Sequence, residues 1–520
     1  MHAYLFLLLP VLFLVLQLLL RLSGALFSPL KAIPGPFWTR FTSLWYFSRV
    51  RHGQFEHENI KLHQKYGPIV RIAPNQYSIS DISAIKTVYG TGSQFAKAAW
   101  YDGWKHPQQW TLFSDRDIKR HGISRSIALS SCDISLLTML AGDTRKRFAN
   151  LYSMSSLVHY EALVDHCADL FTDRLNEFAE NKKTFNLGYW FQCYAFDVIG
   201  NITFGERFGF LDRGEDVDGA IEAVHKVMIY STLVGIYPEW HPRLFGLLSK
   251  FKSSGAGGRN YIRQFVEEKI RKREAKKPDP DAPETLQTQD FLEKMMVAHE
   301  QNPEKVTKYH LFIMGQSNVT AGSDTTAISL SSIMWYLLQN PDALRKLVAE
   351  IDDFTARGNG NITFKESQDM PYFQAVMKEA LRMHSATGLP MWRVVPAGGA
   401  QIGDQFFPGG TIVGANTWVA HYDERVFPNA KKFRPERWLE AESEPDKLKE
   451  MNQMYMPFGL GSRTCIGKHI SILEMSKLIP RLLREFEFTP LRSNWTTQNT
   501  WFVKPSDFEV RVQRRAKLEA

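Results

Sequence analysis

The sequence predicts a mainly α-helical protein with small β-sheets, preceded by one N-terminal transmembrane helix. Long stretches such as "SDTTAISLSSIMWYLLQNPDALRKLVAEI" follow the helical spacing of apolar residues. Only a few short segments combine β-branched and aromatic residues between glycines and prolines, as strands do. With 520 residues, of which 44% are hydrophobic, the chain can bury a large core and does not have the composition of a disordered protein.

The N-terminal segment predicts a membrane anchor at residues 1–22. Its first 20 residues contain no Asp, Glu, Lys or Arg, and as a helix they would extend ~30 Å, the thickness of the hydrocarbon core of a bilayer. A cleaved signal peptide is the alternative, but it would begin with a positive segment and have an apolar core of only about 7–15 residues. Instead, Arg21, Lys31 and Arg40 follow the span, which predicts a cytosolic location for the rest of the chain.

A proline-rich connector at residues 23–36 leads into one large domain, residues 37–520. Extended segments are expected within 66–80 and 403–418, and helices over most of the remainder. The net charge of +8 arises from basic residues that alternate with acids along the whole chain. This distribution argues against nucleic acid as a partner and suits an anionic membrane or an acidic protein.

The four cysteines have wide, irregular spacings that fit neither a disulfide framework nor a C-x-x-C zinc site, and they favour a reducing compartment. They are Cys132, Cys167, Cys193 and Cys465.

The stretch "FGLGSRTCIG" surrounds Cys465 with Gly459, Gly461 and Gly467. The glycines would let the backbone turn sharply and approach a bulky group. N–H groups at the start of the following helix would stabilise a thiolate over a thiol. A single thiolate can hold a porphyrin iron, since the macrocycle supplies four ligands, whereas zinc would need more protein ligands. The alternative is a glycine-rich turn with an inert, buried cysteine.

The pattern F-x-x-G-x-R-x-C-x-G, met at Phe458, Gly461, Arg463, Cys465 and Gly467, resembles the haem-binding signature of the cytochrome P-450 family. The resemblance implies the cytochrome P-450 fold for nearly the whole domain and haem b as the cofactor. By the same resemblance, Cys465 is the axial ligand of the haem iron, and the other signature residues, with Gly459, lie next to the haem.

The segment "KEALR" contains E-x-x-R at Glu379 and Arg382. Residues three apart on a helix point the same way and can form a charge-assisted pair. Alone, this pattern is a common surface ion pair. Its order before the cysteine loop resembles the family, which implies a structural network with Arg437 of "FRPERW" as the third member.

The segment "AGSDTT" lies inside a long apolar helical pattern. A threonine hydroxyl there can bond to helix carbonyls and open a local groove, and small residues let a flat ligand approach. A capped or bent core helix is the alternative. By resemblance this is the oxygen-binding segment: Ala321 and Gly322 would lie against the haem, Thr325 would steady bound dioxygen, and Asp324 would help deliver protons.

The anionic haem propionates need cations, and arginine's planar fork suits carboxylates. By the family pattern the candidates are Arg463, Arg393 of "MWRVVP", and the H-x-x-x-R pair His121 and Arg125. Each arginine could instead be a surface charge.

Residues 126–145 depart from the family pattern. Joining Arg125 directly to Lys146 gives "HGISRKRFANLYSMSS", which restores the family spacing. We hypothesise that these 20 residues are a retained intron translated in the gene model, or else a lineage-specific loop. The apolar "SLLTML" would disturb packing beside His121 and Arg125.

The resemblance also indicates which segments would line a distal pocket: 100–113, the helix face that includes Asn318, 385–392 and 500–504. Their aromatic and apolar content favours a bulky, mostly nonpolar small molecule, although each residue could equally be core. The segments "LFSDRDIKRH" and "ANLYSMSSLVHYE" resemble the fungal pisatin-demethylase-like branch of secondary metabolism.

The resemblance implies a monooxygenase that inserts one atom of O2 into its substrate by hydroxylation, oxidative demethylation or epoxidation. The electrons of NADPH would come through NADPH-cytochrome P-450 reductase, with cytochrome b5 as a second candidate donor, because the chain has no nucleotide-binding motif of its own. The implied location is the endoplasmic reticulum membrane, with a single span and a cytosolic catalytic domain. The alternatives are an enzyme of the same fold that catalyses dehydration or rearrangement, and a noncatalytic haem-binding protein inactivated by residues 126–145.

Overall fold

A computed structural model describes residue 19 and residues 23–24, 26–117, 148, 151–275, 290–357 and 361–516. Within these residues, no helix combines the length and the apolar character needed to cross a membrane. Of the predicted anchor at 1–22 only Leu19 is described, so that prediction lies outside the described residues. The same holds for His121, Arg125 and all of 126–145.

Helices make up most of the described chain, as the sequence predicts. The helices are α1 (Leu44–His52), α2 (Phe55–Tyr66), α3 (Ile82–Tyr89), α4 (Met154–Leu157), α5 (Glu161–Glu180), α6 (Leu187–Phe204), α7 (Phe210–Arg213), α8 (Ala220–Val234), α9 (His241–Leu248), α10 (Gly255–Ala275), α11 (Phe291–Gln301), α12 (Lys308–Gln339), α13 (Pro341–Arg357), α14 (Phe364–Gln368), α15 (Pro371–Met383), α16 (Thr417–His421), α17 (Glu436–Ala441), α18 (Pro445–Met454) and α19 (Lys468–Glu485).

The sheets are small, which confirms the other half of the predicted fold class. The strands are β1 (Ile69–Ala73), β2 (Gln76–Ile79), β3 (Ala96–Lys97), β4 (Thr184–Asn186), β5 (Arg393–Val394), β6 (Ala400–Ile402), β7 (Gln405–Phe407), β8 (Ile412–Ala415), β9 (Phe486–Pro490), β10 (Thr496–Thr500), β11 (Phe502–Ser506) and β12 (Glu509–Arg514).

The largest sheet has the strand order β1-β2-β8-β5-β3, and within it only β2 and β8 are parallel. A second sheet has the order β4-β12-β9, and β6-β7 and β10-β11 form two separate hairpins. The extended segments predicted within 66–80 and 403–418 contain β1, β2, β7 and β8, so both predictions are confirmed. The register of the parallel pair places Tyr77 beside Val413.

Helix α12 is the central element of the domain. It has 32 residues, which corresponds to a length of about 48 Å. A capping box of Thr307 and His310 begins it, and it packs against α6, α10, α15 and α19. The apolar pattern at 323–351 predicts helix throughout, but the structure breaks it after Gln339. Pro341 causes the break, because proline disfavours the helical conformation of the residue before it.

Candidate functional site

The loop from Phe458 to Gly467 presents the Cys465 side chain at an exposed position just before α19. The Cys465 N–H donates to the Phe458 carbonyl at 2.8 Å, which closes the loop. Gly459 adopts φ +72°, a conformation that side chains rarely allow. Cys465 lies three residues before the first residue of α19, where the positive end of the helix dipole favours a thiolate. Cys465 is therefore not a buried cysteine, and its role as a ligand stays a prediction.

Gly461 lies where the loop meets the end of α3. Its φ is +61°, and a Cβ atom at this position would overlap the carbonyl oxygen of Tyr89. Glycine is therefore required twice, for the backbone conformation and for the close approach. Gly467 lies beside the sulfur, since a Cβ atom there would be 4.0 Å from the Cys465 Sγ.

A fully buried carboxylate, Glu379 of α15, organises the region behind the loop. The Arg382 Nε donates to Glu379 Oε2 at 2.9 Å and its Nη2 donates to Oε1 at 2.8 Å. The Arg437 Nε donates to the same Oε1 at 2.9 Å, so the predicted three-residue network is present. The indole N–H of Trp438 and the backbone N–H of Arg434 complete the donors to this carboxylate.

The two arginines that bind Glu379 also donate hydrogen bonds to backbone carbonyls at the end of α16 and in the loop that follows it. Arg382 donates to the carbonyls of His421 and Ala430, each at 2.8 Å, and Arg437 donates to the Pro428 carbonyl at 2.8 Å. Burial tends to lower the pKa of Arg382, but its bonds to Glu379 outweigh burial, so the pKa is raised. The pKa of Arg437, which has one bond to this carboxylate, is lowered by burial.

In the middle of α12, Ala321 is exposed although the helix around it is largely buried. Thr325, one turn further on, donates its hydroxyl to the Ala321 carbonyl at 2.7 Å, as the sequence predicts for a threonine that opens a helix groove. A Cβ atom at Gly322 would lie 2.9 Å from Ile199 Cγ1. The missing side chain at Gly322 thus allows α12 to pack closely on α6.

Asp324 is buried and bonded to two side chains that sequence reasoning did not identify. Lys504 of β11 forms an ion pair with Asp324 Oδ1 at 3.2 Å, and Gln192 of α6 donates to the same oxygen. Lys504 also donates to Gln192 Oε1 at 2.7 Å. The Lys504 side chain is partly exposed, whereas that of Asp324 is buried. One indication of this ion pair was present in the sequence, because Lys504 is the single charged residue of "TWFVK".

Two of the predicted propionate cations are described. Arg393 is buried, and it donates to the Tyr101 hydroxyl at 3.3 Å and to the carbonyls of Met391 and Trp392. No carboxylate forms an ion pair with Arg393 within the described part of the chain. Arg463 donates to the Asp115 carbonyl at 3.0 Å, immediately before the segment that contains His121 and Arg125.

These residues fit a haem. An exposed thiol at the positive end of a helix could bind the iron. A buried arginine with no carboxylate partner among the described residues could bind an anionic propionate. Ala321 supplies a small, exposed surface on an otherwise buried helix, which suits a flat macrocycle.

Aromatic side chains from two of the predicted pocket segments meet in one cluster. The ring of Trp501, between β10 and β11, lies 4.9 Å from that of Trp100, 5.9 Å from that of Trp104 and 6.0 Å from that of Phe113. Trp501 has φ +83°, a strained conformation for a bulky residue, and its neighbours must hold it there. Segments 100–113 and 500–504 are therefore adjacent, and that they line a substrate pocket stays a prediction.

The prediction that Asn318 lines the pocket is wrong. Its side chain is buried, donates to the Thr203 hydroxyl at 2.9 Å and accepts from the Tyr152 hydroxyl. The side-chain amide of Asn318 therefore connects α12 to α6 and to the segment before α4, and it does not point into a pocket.

Comparison with known proteins gives one family and several curated relatives. The family model for cytochrome P-450 matches residues 137–511. A pisatin demethylase from Fusarium vanettenii is 36% identical over 517 residues, which cover 98% of this chain and 95% of that protein. A cytochrome P-450 monooxygenase from Aspergillus terreus is 36% identical over 470 residues, covering 89% of this chain and 91% of that protein. The cytochrome P-450 monooxygenase cicH from Emericella nidulans is 34% identical, with 94% of each chain covered.

The close approach at Gly461 predicts that Gly461→Ala lowers the haem content of the purified protein severalfold. The new Cβ would both adopt an unfavourable φ and displace the end of α3 from the cysteine loop. Haem per protein, measured by pyridine haemochrome absorbance, is the readout.

Gly403→Ala is the matched control, because Gly403 also has positive φ, at +58°, but a Cβ there meets nothing within 4 Å. Equal haem content in the two variants would show that the contact with Tyr89 does not matter.

Proposed function

The chain belongs to the cytochrome P-450 family, in the branch that includes pisatin demethylase, and from this we propose that it is a haem-thiolate monooxygenase. It inserts one oxygen atom from O2 into a bulky, mostly apolar small molecule in fungal secondary metabolism. The observation that carries the proposal is an exposed Cys465 in a glycine loop, in a domain that also contains the buried Glu379 network.

Haem b, when bound, supplies O2 activation and oxygen transfer. Cys465 Sγ would be its ligand, and the positive end of the α19 dipole favours the thiolate form of this sulfur. Arg393 and Arg463, with His121 and Arg125, are the proposed partners of the propionates. The remaining contacts are proposed for Phe458, Gly459, Gly461, Gly467, Ala321 and Gly322.

Proton delivery is assigned to Asp324 and Thr325. Asp324 Oδ1 is paired with Lys504, whose side chain is partly exposed, and Thr325 is the next residue of α12. Lys504 would pass a proton to Asp324 and recover one from solvent, and rotation of the protonated Asp324 side chain would then bring that proton to the Thr325 hydroxyl.

The substrate is proposed to bind against the aromatic cluster of Trp100, Trp104, Phe113 and Trp501. Aromatic rings bind flat, apolar molecules through large contact areas at little entropic cost. The relatives include a pisatin demethylase, which favours oxidative demethylation among the reactions proposed here. Hydroxylation and epoxidation would involve the same haem-binding and proton-transfer residues, so they remain the other proposed reactions.

The electron donor is proposed to be NADPH-cytochrome P-450 reductase, with cytochrome b5 as a second donor. A surface groove beside the cysteine loop is lined by Leu460 and Gly461 together with Lys86, Lys449 and Glu442. Two cations against one acid suit a partner with an acidic face.

The chain is proposed to be anchored in the endoplasmic reticulum membrane by residues 1–22, with its catalytic domain in the cytosol. Two sets of large apolar side chains are exposed, one near the N terminus and one around α9. The segments that carry them touch where the ring of Phe47, in α1, lies 6.0 Å from that of Tyr237, just before α9. Exposed apolar side chains that follow the proposed anchor in the sequence suit contact with lipid. The residues are Leu26, Phe27, Phe37, Trp38 and Leu44, and Trp240, Leu244, Leu247 and Phe251.

The proposed chemistry predicts that Thr325→Ala lowers the product formed per NADPH consumed by about tenfold or more, since one positioned proton-transfer group is worth that much. A substrate is first found by its shift of the haem absorbance, and turnover is then measured with reductase and NADPH.

Thr326→Ala is the matched control, because the Thr326 hydroxyl is buried and donates to Ser471 Oγ at 3.2 Å. The same coupling ratio in both variants would contradict the assignment of Thr325. A wild-type protein that converts its ligand without NADPH would favour dehydration or rearrangement.

The membrane proposal predicts that a fluorophore on Leu247→Cys in the full chain is quenched by nitroxide-labelled lipid in phosphatidylcholine and phosphatidylserine vesicles. A fluorophore on Leu491→Cys, also at an exposed leucine but far along the chain, should keep its emission. Equal quenching at the two positions would contradict the proposal that the surface around α9 faces the membrane. The unsubstituted chain, labelled in the same way, measures the signal from native cysteines.

A further inference from the structure

His421, the last residue of α16, is fully buried and makes two hydrogen bonds with backbone groups. Its Nδ1 lies 3.0 Å from the Arg382 carbonyl oxygen, and its Nε2 lies 2.9 Å from the Met456 backbone nitrogen. One imidazole thus joins the end of α15 to the segment that leads into the cysteine loop.

The chemistry of the two partners fixes the state of the ring. A carbonyl only accepts, so the Nδ1 of His421 carries the proton, and a backbone N–H only donates, so its Nε2 is the acceptor. The ring is therefore neutral, with one defined tautomer. Burial lowers the pKa of His421 to about 3, and the charge of Arg382 acts in the same direction, so the tautomer persists at neutral pH.

The bond between His421 and Arg382 is reciprocal. The Arg382 Nη1 donates to the His421 carbonyl at 2.8 Å, while the His421 ring donates to the Arg382 carbonyl. Since the Arg382 guanidinium is itself held by Glu379, the imidazole is oriented by the same network that orders α15. The Tyr455 ring stacks on the imidazole, with centroids 5.6 Å apart.

The Nε2 of His421 accepts from Met456, the residue two positions before the cysteine loop begins at Phe458. Met456 is buried, and its carbonyl accepts from the Gly459 N–H at 3.0 Å. The Phe458 carbonyl then accepts from the Cys465 N–H at 2.8 Å. Three consecutive contacts therefore connect the imidazole to the residue that carries the thiol.

We propose that His421 is a positioning residue that transmits the order of the Glu379 network to the cysteine loop and so holds the Cys465 sulfur in its ligand position. This inference rests on the proposed function, because it concerns the geometry of a haem thiolate. Without the acceptor on His421, the Met456 N–H would be buried without a partner, and the loop would shift to satisfy it.

The two bonds can be separated by substitution. The end of a glutamine side chain reaches the position of the histidine Nε2, whereas the end of an asparagine side chain reaches that of Nδ1. His421→Gln should therefore keep an acceptor for Met456, and His421→Asn should keep only the donor to Arg382. His384→Gln is the control, because His384 is also a buried histidine bonded to a backbone carbonyl, that of Val503 at 2.8 Å.

The readout is the rate at which the ferrous-CO complex loses the strongly red-shifted Soret band of thiolate ligation, with circular dichroism as the measure of fold. We expect His421→Asn to lose the band about tenfold faster than the wild type, as the loss of one buried hydrogen bond would allow. His421→Gln and His384→Gln should remain within about twofold of the wild type.

Equal rates for His421→Asn and His421→Gln would overturn the inference while leaving the proposed function intact. A wild-type protein without the red-shifted band would instead overturn the proposed function. If neither variant folds, hydrogen exchange of the unsubstituted protein decides: the Met456 amide should be as protected as the amides of α15, and rapid exchange at Met456 overturns the inference.

Discussion

The rest of the site depends on the buried carboxylate of Glu379 and the donors that surround it. Two arginines, one indole and one backbone N–H satisfy both of its oxygens, so a charge that burial would otherwise disfavour is fully compensated. Removing one partner of such a pair typically costs about 3–5 kcal/mol, because the other charge remains buried. The network fixes the end of α15 and the loop after α16, and His421, at the end of α16, bonds to Met456, which leads into the cysteine loop.

The function follows from what this frame holds in place. A thiol that precedes a helix by three residues can be a thiolate at neutral pH, and the glycines around it leave room for a flat cofactor. On the central helix, Ala321 is exposed and its carbonyl accepts from Thr325, which follows a buried carboxylate that is paired with a partly exposed lysine. Under the proposed function, Cys465 would be the haem ligand, and Asp324, paired with Lys504, would be the acid-base group of a second element.

The sequence predicts the parts of this site that lie in short motifs. The cysteine loop, the Glu379 and Arg382 pair, and the threonine of α12 each use residues only a few positions apart, so local spacing is informative. Lys504 and Asp324 are 180 residues apart, and His421 and Met456 are 35 apart, so no local pattern could pair them. Asn318 lies at a predictable position on α12, but its role could not be predicted. Its bond with Tyr152 depends on how another segment packs against α12. The break at Pro341 was readable from proline chemistry, whereas the apolar pattern alone runs through it.

The most direct test of the account is the ferrous-CO spectrum of Cys465→Ser beside those of the wild type and Cys193→Ser. We expect a strongly red-shifted Soret band for the wild type and for Cys193→Ser, whose sulfur is not the proposed ligand. Cys465→Ser should lose the band without a change in circular dichroism, because Cys465 is exposed and its substitution leaves the core unchanged. A Cys465→Ser protein that keeps the wild-type band and turnover would contradict the central claim that this sulfur is the haem ligand.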